Sequence, residues 1–520
     1  MNLKTCWRYI GFLVVLLLML TLLPEASGSA ASATAGGRSA LQALSSPGGR
    51  AGPVAAEAVA MPHAASQGTV NFSAQGEQAQ SSAAPWALQT ATSTWDFFTR
   101  AGPFEFTPIA ETGPVGSQDP MFFSFASYHG ASIDDVGRVA FLATAKPGGY
   151  YGDGFSGIFI GHGDETGLLD YTKVVDDQGN LTSFELGDFT DAGVAFKAWT
   201  VVNDRGTSGI FAGSGNTIQT LFLDPDVVAD FGSPVPYPPM NGSGQTALIV
   251  ELEDGRTHAI VKQPGNQTLY VQQWDYVGGA FQHFHGQYNL AINDGGEVLF
   301  VADQWISPGE WRTGLFRGAG GGAATVFLEP PRDENGVRSH ILRDIDPDLN
   351  NHGEAVFVVA NYDGQGEFTK DSLSKGDGGS LAVLAETTRH DVQPKAGHFA
   401  RFFDPAINDR GDVAFVADVW QDDTSSTSSR GLFLISADDP TSEPRLVLGV
   451  GDTLFDLTVG FIEFHRYGLN NQGQLAFRVG LRDPETGAVV RRVIVRTDPT
   501  PLPIVLVPGI AGTYAADASA

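Results

Sequence analysis

The sequence of 520 residues predicts an all-β protein built from seven repeated units, on the strength of three observations. The 64 glycines and 29 prolines exceed the usual share of about 12%, which favours many short strands over a helical bundle. One phrase, typified by Ile407-Asn-Asp-Arg-Gly-Asp-Val-Ala-Phe415, recurs seven times. Successive copies lie 51 to 62 residues apart, which is the length of one four-stranded sheet.

The elements of each unit follow from its residues in order. Asn-Asp-x-Gly is typical of a tight turn, because these residues tolerate the left-handed backbone. The next strand, as in residues 413–417, is apolar on both faces, which indicates burial on both sides. A second strand follows, as in Gly431-Leu-Phe433, and a third and fourth, as in 445–451 and 460–464, precede the next turn. The shared glycines are Gly137, Gly193, Gly244, Gly296, Gly353, Gly411 and Gly473.

Four strands per unit with two buried faces predict a seven-bladed β-propeller over residues 95–498. The segment before the first turn, 106–128, resembles the segment before the last turn, 446–464, so we expect seven complete units in a closed ring. A different number of blades and a pair of β-sandwiches are the alternatives.

The N-terminal residues have the pattern of a secretory signal peptide, which we place at 1–28. Lys4 and Arg8 precede an apolar run of 14 residues, 10–23, and small residues follow at 26–30. The run is shorter than the ~20 residues that span a bilayer, so export is favoured over a membrane anchor. Residues 29–94 are rich in Ala, Ser and Gly and are predicted to be a disordered linker.

Charge and cysteine content exclude several classes of function. The 59 acidic residues outnumber the 31 basic ones, which gives a net charge of −28 and argues against a nucleic-acid partner. The one cysteine, Cys6, lies within the predicted signal peptide. Disulfides, zinc ribbons and thiol chemistry are therefore not expected in the mature chain.

The recurring phrase also carries a resemblance. Asn408-Asp-Arg-Gly-Asp-Val-Ala-Phe415 resembles the tandem NxxGxxAF-type repeats of secreted bacterial proteins, and the resemblance extends from about Thr107 to Thr497. The third copy departs from it, since Gly244 is followed by Thr246-Ala-Leu248. The resemblance implies an extracellular propeller and implies no reaction.

The tail, residues 499–520, is rich in proline and then reads Ile504-Val-Leu-Val-Pro-Gly-Ile-Ala-Gly-Thr513. It is similar to the opening of α/β-hydrolases of the lipase type, which implies that Gly509, Ile510 and Gly512 would form an oxyanion-like loop. The 520 residues contain no Gly-x-Ser-x-Gly nucleophile motif. Either the chain is the front part of a lipase- or esterase-like protein, or the likeness of the apolar tail is due to chance.

Aromatic residues concentrate between the first and second strands of several units. Equivalent hairpins of a propeller lie on one face, so these rings would form a rim that binds a carbohydrate, lipid-like or protein surface. Packing over blade junctions is the alternative. The predicted rim residues are Trp199, Trp305, Trp311, Tyr362 and Trp420.

Histidines form a second candidate site. His129 and His465 each stand eight residues before a repeat glycine, and His283 and His285 occupy the same region of the fourth unit. At alternate strand positions, His283 and His285 could share one face as metal ligands or as a general acid and base. His129, His285 and His465 could also meet in the central channel. Buried or solvated histidines without such a role are the alternative.

Calcium is the cofactor suggested by a third pattern. Asp344, Asp346 and Asp348 alternate as in a calcium-binding loop. The sixth and twelfth positions are Leu349 and Ala355, which excludes an EF-hand and leaves a plain turn as the alternative.

Together these patterns predict an exported propeller that acts as a binding or scaffold module, either alone or in front of a hydrolase domain. They show no complete active site. The alternative is an enzyme built into the propeller funnel, a metal- or histidine-assisted hydrolase or lyase.

Overall fold

The computed structural model describes most of the chain from Thr94 to Pro499, all of it within one compact unit, Ala87–Ala520. The predicted signal peptide, the linker up to residue 93 and the tail from residue 500 lie outside the described residues. The described ranges are 94–102, 104–112, 122–125, 130–145, 155–163, 171–177, 179–202, 205–214, 217–223, 238–251, 258–265, 267–271, 281–285, 289–307, 309–332, 339–342, 345–388, 395–423, 427–439 and 443–499.

Within these ranges, 31 strands form the seven sheets of a seven-bladed β-propeller, which confirms the predicted fold. The sheets are antiparallel, and a short 3₁₀ helix, Thr94–Phe97, precedes them. Blade 1 holds β2 (Phe122–Phe125), β3 (Ser132–Ile133), β4 (Val139–Ala145), β5 (Phe155–Gly161) and β6 (Tyr171–Asp176). Blade 2 holds β7 (Thr182–Thr190), β8 (Gly193–Val202), β9 (Arg205–Ser214) and β10 (Thr217–Leu223). Blade 3 holds β11 (Thr246–Glu251), β12 (His258–Gln263) and β13 (Gln267–Val271).

The remaining four blades follow in chain order. Blade 4 holds β14 (Phe281–Phe284), β15 (Ala291–Ile292), β16 (Val298–Ser307), β17 (Glu310–Gly318) and β18 (Ala324–Leu328). Blade 5 holds β19 (His340–Leu342), β20 (Asp348–Leu349), β21 (Ala355–Tyr362), β22 (Phe368–Gly376) and β23 (Leu381–Glu386). Blade 6 holds β24 (Phe399–Ile407), β25 (Val413–Trp420), β26 (Ser428–Ile435) and β27 (Arg445–Gly449). Blade 7 holds β28 (Thr453–Leu454), β29 (Leu457–Leu469), β30 (Leu475–Arg482), β31 (Val489–Pro499) and β1 (Phe104–Glu111).

The first and last strands of the propeller close the ring. β1 pairs antiparallel with β31, from Phe104 opposite Pro499 to Glu111 opposite Val493. β1 is thereby the outermost strand of blade 7, and β2 belongs to the innermost position of blade 1. The sequence repeat therefore does not begin where a blade begins. The turn of each repeat joins the innermost strand of a blade to the second strand of the same blade.

Paired phenylalanines explain why the strand phrases recur. The phenylalanine that ends the first phrase lies directly opposite the phenylalanine of the Gly-Ile/Leu-Phe strand, as in Phe141 opposite Phe159 and Phe415 opposite Phe433. The ring centroids of these two pairs are 5.9 and 5.6 Å apart, and all four side chains are buried. Offset-stacked rings of this kind add to the stabilisation from apolar burial.

The segment before β1 is part of the propeller. Trp95 is buried against Gly431 and Gly449, and its indole N–H donates to the carbonyl of Val450 at 3.0 Å. A side chain at either glycine would occupy the space of the indole ring. Backbone bonds between 99–101 and Leu446 hold this segment along the outer edge of blade 6.

Seven equivalent turns meet at one end of the ring, which we call the turn face. The shared glycine of each turn has a positive φ, from 71° to 130°, which an L-residue rarely adopts. The hairpins that join the second and third strands of the blades lie at the opposite end, the hairpin face.

In six of the seven turns, one side chain donates a hydrogen bond to the backbone of the next blade, an asparagine in five turns and the hydroxyl of Thr190 in the sixth. The Nδ2 of Asn408 donates to the carbonyl of Asn470 at 3.0 Å, and its Oδ1 accepts from the backbone N–H of Arg410 and Asp412 within its own turn. Five further bonds of this kind follow around the ring. They run from Thr190 to Asn241, Asn241 to Asn293, Asn293 to Asn350, Asn350 to Asn408 and Asn470 to Asp134. We call this series the asparagine belt.

We expect Asn408→Ala to destabilise the fold by about 3 kcal/mol, because it leaves buried N–H and C=O groups unsatisfied in two blades. Urea unfolding followed by circular dichroism measures the change. The matched control is Asn180→Ala, since Asn180 is exposed and outside the belt. Equal stability of the two variants would contradict a role for the belt.

Candidate functional site

A cavity of about 190 Å³ lies on the axis of the ring at the turn face. The turns that carry the asparagine belt form its walls, and all seven blades contribute residues. Among the described residues that line it, Arg466 is the only Lys or Arg, whereas seven are aspartates. The cavity therefore has an excess of acidic groups.

The carboxylates around the mouth of the cavity are engaged by neighbouring turns. Asp409 accepts from the backbone N–H of Asn351 at 2.7 Å, and its own backbone N–H donates to the Oδ1 of Asn471 at 2.8 Å. Asp135 accepts from the backbone N–H of Asn471 at 2.9 Å, and Asp294 accepts from that of Gly242 at 2.6 Å. These contacts make the carboxylates a second set of links between blades.

The side chain of Arg466 crosses the axis beneath these turns. It belongs to β29 of blade 7, is 1% exposed, and donates from Nη1 to the carbonyl of Pro347 in blade 5 at 2.9 Å. Its Nη2 donates to the hydroxyl of Tyr467 at 2.8 Å. Asp188 and Asp348 also line the cavity, and the charges of both carboxylates interact with that of Arg466.

Burial shifts the ionisation of these carboxyl groups. Burial, together with the charge of Asp348, raises the pKa of Asp188 to about 7. Burial likewise raises the pKa of Asp348 to about 6. Burial and the charge of Asp346 raise the pKa of Asp404 to about 7, against the opposing effect of Arg466. The guanidinium of Arg466 thus interacts with several carboxyl groups, and the raised pKa values of these groups favour their protonated form.

This axial cluster was not predicted, although the aligned repeats contain a signal for it. The cluster consists of Arg466, Asp188, Asp346, Asp348 and Asp404. Asp346, Asp404 and Arg466 each stand four residues before the belt asparagine of their unit. A charged residue at one repeat position in three successive units indicates side chains that converge on the axis.

The hairpin face carries four of the five predicted rim aromatics at its surface. Trp199 on the β8–β9 hairpin is 48% exposed. Trp305 and Trp311 are cross-strand partners on the β16–β17 hairpin, with ring centroids 6.4 Å apart, and both are half-buried. Tyr362 on the β21–β22 hairpin packs against Phe368 with a centroid distance of 5.9 Å.

Trp420 does not belong to an exposed rim. It is 3% exposed, because the segment before β24 lies alongside it and exchanges backbone hydrogen bonds with it. The backbone N–H of Trp420 donates to the carbonyl of His398, and that of Gly397 donates to the carbonyl of Trp420. At this position the aromatic ring is therefore packed within the fold and not at the surface.

Of the three histidines predicted to meet in the central channel, the structure describes His285 and His465, which have different neighbours, and neither lines the axial cavity. His465 is buried in blade 7, with its ring 5.0 Å from that of Tyr467. His285 lies in blade 4, where its Nε2 is 2.9 Å from the Oδ1 of Asp303. His129 lies outside the described residues.

The described residues of the predicted calcium loop, Asp346 and Asp348, belong to the axial cluster. The carboxylate of Asp348 accepts from the backbone N–H of Ile407 at 2.9 Å, and Asp346 and Asp348 both interact with the charge of Arg466. Asp344 and the oxyanion-like residues Gly509, Ile510 and Gly512 lie outside the described residues. Among those described, no group of three or more Asp, Glu, His or Cys side chains is placed to hold a metal ion.

A search of the described residues for membrane-spanning helices finds none of sufficient length and hydropathy.

Comparisons with known proteins identify a family. The model of a family of unknown function (DUF7453) matches residues 66–501, which is most of the chain. No curated protein matches the sequence.

Solved structures with a similar arrangement are β-propellers of low sequence identity. The β-propeller domain of the Trilobed protease from Pyrococcus furiosus is 10% identical, with a TM-score of 0.38 over 72% of this chain and 94% of that one. A polysaccharide lyase, PL25 ulvan lyase, is 9% identical, with a TM-score of 0.36 over 76% and 95% of the two chains. Trypanosoma rangeli sialidase is 8% identical, with a TM-score of 0.27 over 77% and 58%.

The axial carboxyl groups make stability depend on pH. Because the folded-state pKa of Asp188 is raised, its contribution to stability is complete below about 4 and is lost as the pH rises through about 7. We therefore expect Asp188→Asn to become more stable relative to wild type as the pH is raised from 4 to 8. A pKa shift of this size corresponds to about 4 kcal/mol of stability. Because Asp188 lines the cavity at the turn face, where solvent screens charge, we expect about 2 kcal/mol by urea unfolding.

Asp483→Asn is the matched control for this measurement. Backbone N–H groups of Thr486 and Glu485 lower the pKa of Asp483 on an exposed hairpin. Its contribution to stability is present above about 4 and is lost as the pH falls, so this variant should weaken relative to wild type as the pH rises. A difference for Asp188→Asn that does not change with pH would contradict the assignment.

Proposed function

This chain belongs to the family of unknown function DUF7453, and we propose that it is an exported binding module whose hairpin face binds a polysaccharide. The signal-peptide pattern at its N-terminus supports export. The aromatic side chains at the hairpin face, with Trp199 exposed and Trp305 and Trp311 half-buried, support the binding role.

The exposure of the Trp199 side chain on its hairpin is the observation that carries the proposal. Its indole lies across the backbone of Gly206 on the adjacent strand, where a Cβ would contact the ring. The neighbouring Val201 is 64% exposed. A large ring that is held flat by the hairpin, with its outer surface in solvent, is suited to stacking on the apolar face of a sugar.

Hairpins of two other blades provide further aromatic surface on the same face. The cross-strand pair Trp305–Trp311 in blade 4 and Tyr362 in blade 5 stand on hairpins equivalent to that of Trp199. Because equivalent hairpins of a propeller emerge at one end, a chain of several sugar units could contact more than one of them. An extended polymer therefore suits this surface better than a single sugar.

Net charge favours one class of polysaccharide. At −28, the protein repels polyanions at low ionic strength, whereas neutral or positively charged glycans carry no such penalty. Because Asp135, Asp294 and Asp409 at the turn face are engaged in links between blades, we assign the ligand to the hairpin face.

We expect Trp199→Ala and Trp305→Ala each to weaken polysaccharide binding about five- to tenfold, which corresponds to roughly 1 kcal/mol per stacked ring. The measurement is depletion of the full chain by insoluble cellulose, chitin and mannan, and affinity electrophoresis in soluble glucan, xylan and alginate. Neutral polymers should bind and alginate should not.

The control is Leu381→Ala combined with Val383→Ala. Both side chains are exposed, at 50% and 53%, but they lie on β23 at the outer edge of blade 5. This variant should bind as wild type does. Tryptophan variants that unfold at the wild-type temperature and bind equally well would refute the proposal, as would a wild-type protein that binds no polymer in the panel.

A further inference from the structure

Two histidines of blade 4 lie at alternate positions at the end of the innermost strand. His283 belongs to β14 and His285 follows its last residue, and both are accessible to solvent. Their ring centroids are 4.9 Å apart with an interplanar angle of 79°. Since metal–imidazole bonds are about 2.0–2.1 Å long, rings at this separation can reach one ion between them.

A carboxylate lies behind one of the two rings. Asp303 on β16 is directly opposite His283 in the sheet, and its Oδ1 is 2.9 Å from the Nε2 of His285. The hydroxyl of Thr313 donates to the same oxygen at 2.8 Å, which fixes the carboxylate in place. Histidine ligands of metals commonly donate their second ring N–H to such a carboxylate. In this arrangement Nε2 of His285 donates to Asp303, and Nδ1 is the nitrogen that would bind a metal.

The group is also suited to a cation. A carboxylate lies within 2.9 Å of one of the two rings, and it is directly opposite the other histidine in the sheet. A divalent ion bound between the rings would gain from the negative charge of this carboxylate.

From these contacts we propose that His283 and His285 chelate a late first-row divalent metal ion, Zn²⁺ or Cu²⁺, with Asp303 as the positioning carboxylate. Imidazole suits these ions, and affinity for Cu²⁺ exceeds that for the other divalent metals of the row. Two protein nitrogens leave further coordination positions to water or to a ligand. The ion is exchangeable, unlike one in a closed four-ligand site. The proposal of a metal site does not rest on the proposed polysaccharide binding.

The test uses the full chain after removal of metals with a chelator. Isothermal titration with Zn²⁺ alone should show one site, and the electron paramagnetic resonance spectrum with one equivalent of Cu²⁺ should show nitrogen ligands. His283→Gln and His285→Gln should each weaken Zn²⁺ binding at least about tenfold. Asp303→Asn should weaken it about 10- to 100-fold while the nitrogen signature of Cu²⁺ persists.

His352→Gln is the matched control, because His352 is an exposed histidine in a belt turn of blade 5 at the opposite face. It should leave the affinity unchanged. Because His283 is exposed, its variant reports on the site even if His285→Gln disturbs the hydrogen bond to Asp303. Absence of Zn²⁺ binding by wild type, or equal binding by the double variant of His283 and His285, would overturn the chelate. If the Asp303→Asn variant bound Zn²⁺ as tightly as wild type, the positioning role of Asp303 would be overturned.

Discussion

The asparagine belt is the interaction on which the arrangement of the blades depends. A single side chain performs two tasks in each turn where it occurs: its oxygen closes the turn, and its amide nitrogen reaches the backbone of the next blade. Asn470, for example, accepts from the backbone N–H of Gln472 and Gln474 and donates to the carbonyl of Asp134. Both tasks need a carbonyl oxygen and an N–H on one short side chain, which an amide provides and a carboxylate does not.

The contacts that join the blades and the aromatic side chains proposed to bind a ligand lie on opposite faces of the ring. At the turn face, the belt and the carboxylates around the cavity join successive blades, and Arg466 links blades 5 and 7 across the axis. At the hairpin face, Trp199 and the Trp305–Trp311 pair are not needed to join blades. These hairpins can therefore carry side chains selected for a ligand, as surface loops on a rigid scaffold commonly do.

Much of the fold could be predicted because its determinants are local in sequence. The turn glycine and the apolar strand after it lie within nine residues, as in 407–415, and repetition of this phrase gives the number of blades. The resemblance of the segments before the first and last turns correctly predicted a closed ring. The offset between repeat and blade follows from the same closure, since β1 completes a sheet whose other strands come from the end of the propeller.

The site was harder to predict because its contacts connect distant residues. Arg466 and Pro347 are 119 positions apart, and only the three-dimensional ring brings them together. Trp420 and Trp199 occupy equivalent hairpins, yet Trp420 is buried and Trp199 is exposed, a difference that the alignment of the repeats does not show. The close approach of His283 and His285 was a local prediction from alternate strand positions, whereas the contact with Asp303 depends on strand register.

The pairing of β1 with β31 has a consequence for the order of events during folding. Thr107 and Asp498, whose side chains are hydrogen bonded, are 391 residues apart, so this sheet cannot form until nearly the whole chain has been synthesised. Ring closure of such a long segment carries a large entropy cost and slows folding relative to proteins with local contacts. A nascent chain thus remains without its final blade until Asp498 and the residues near it have been synthesised.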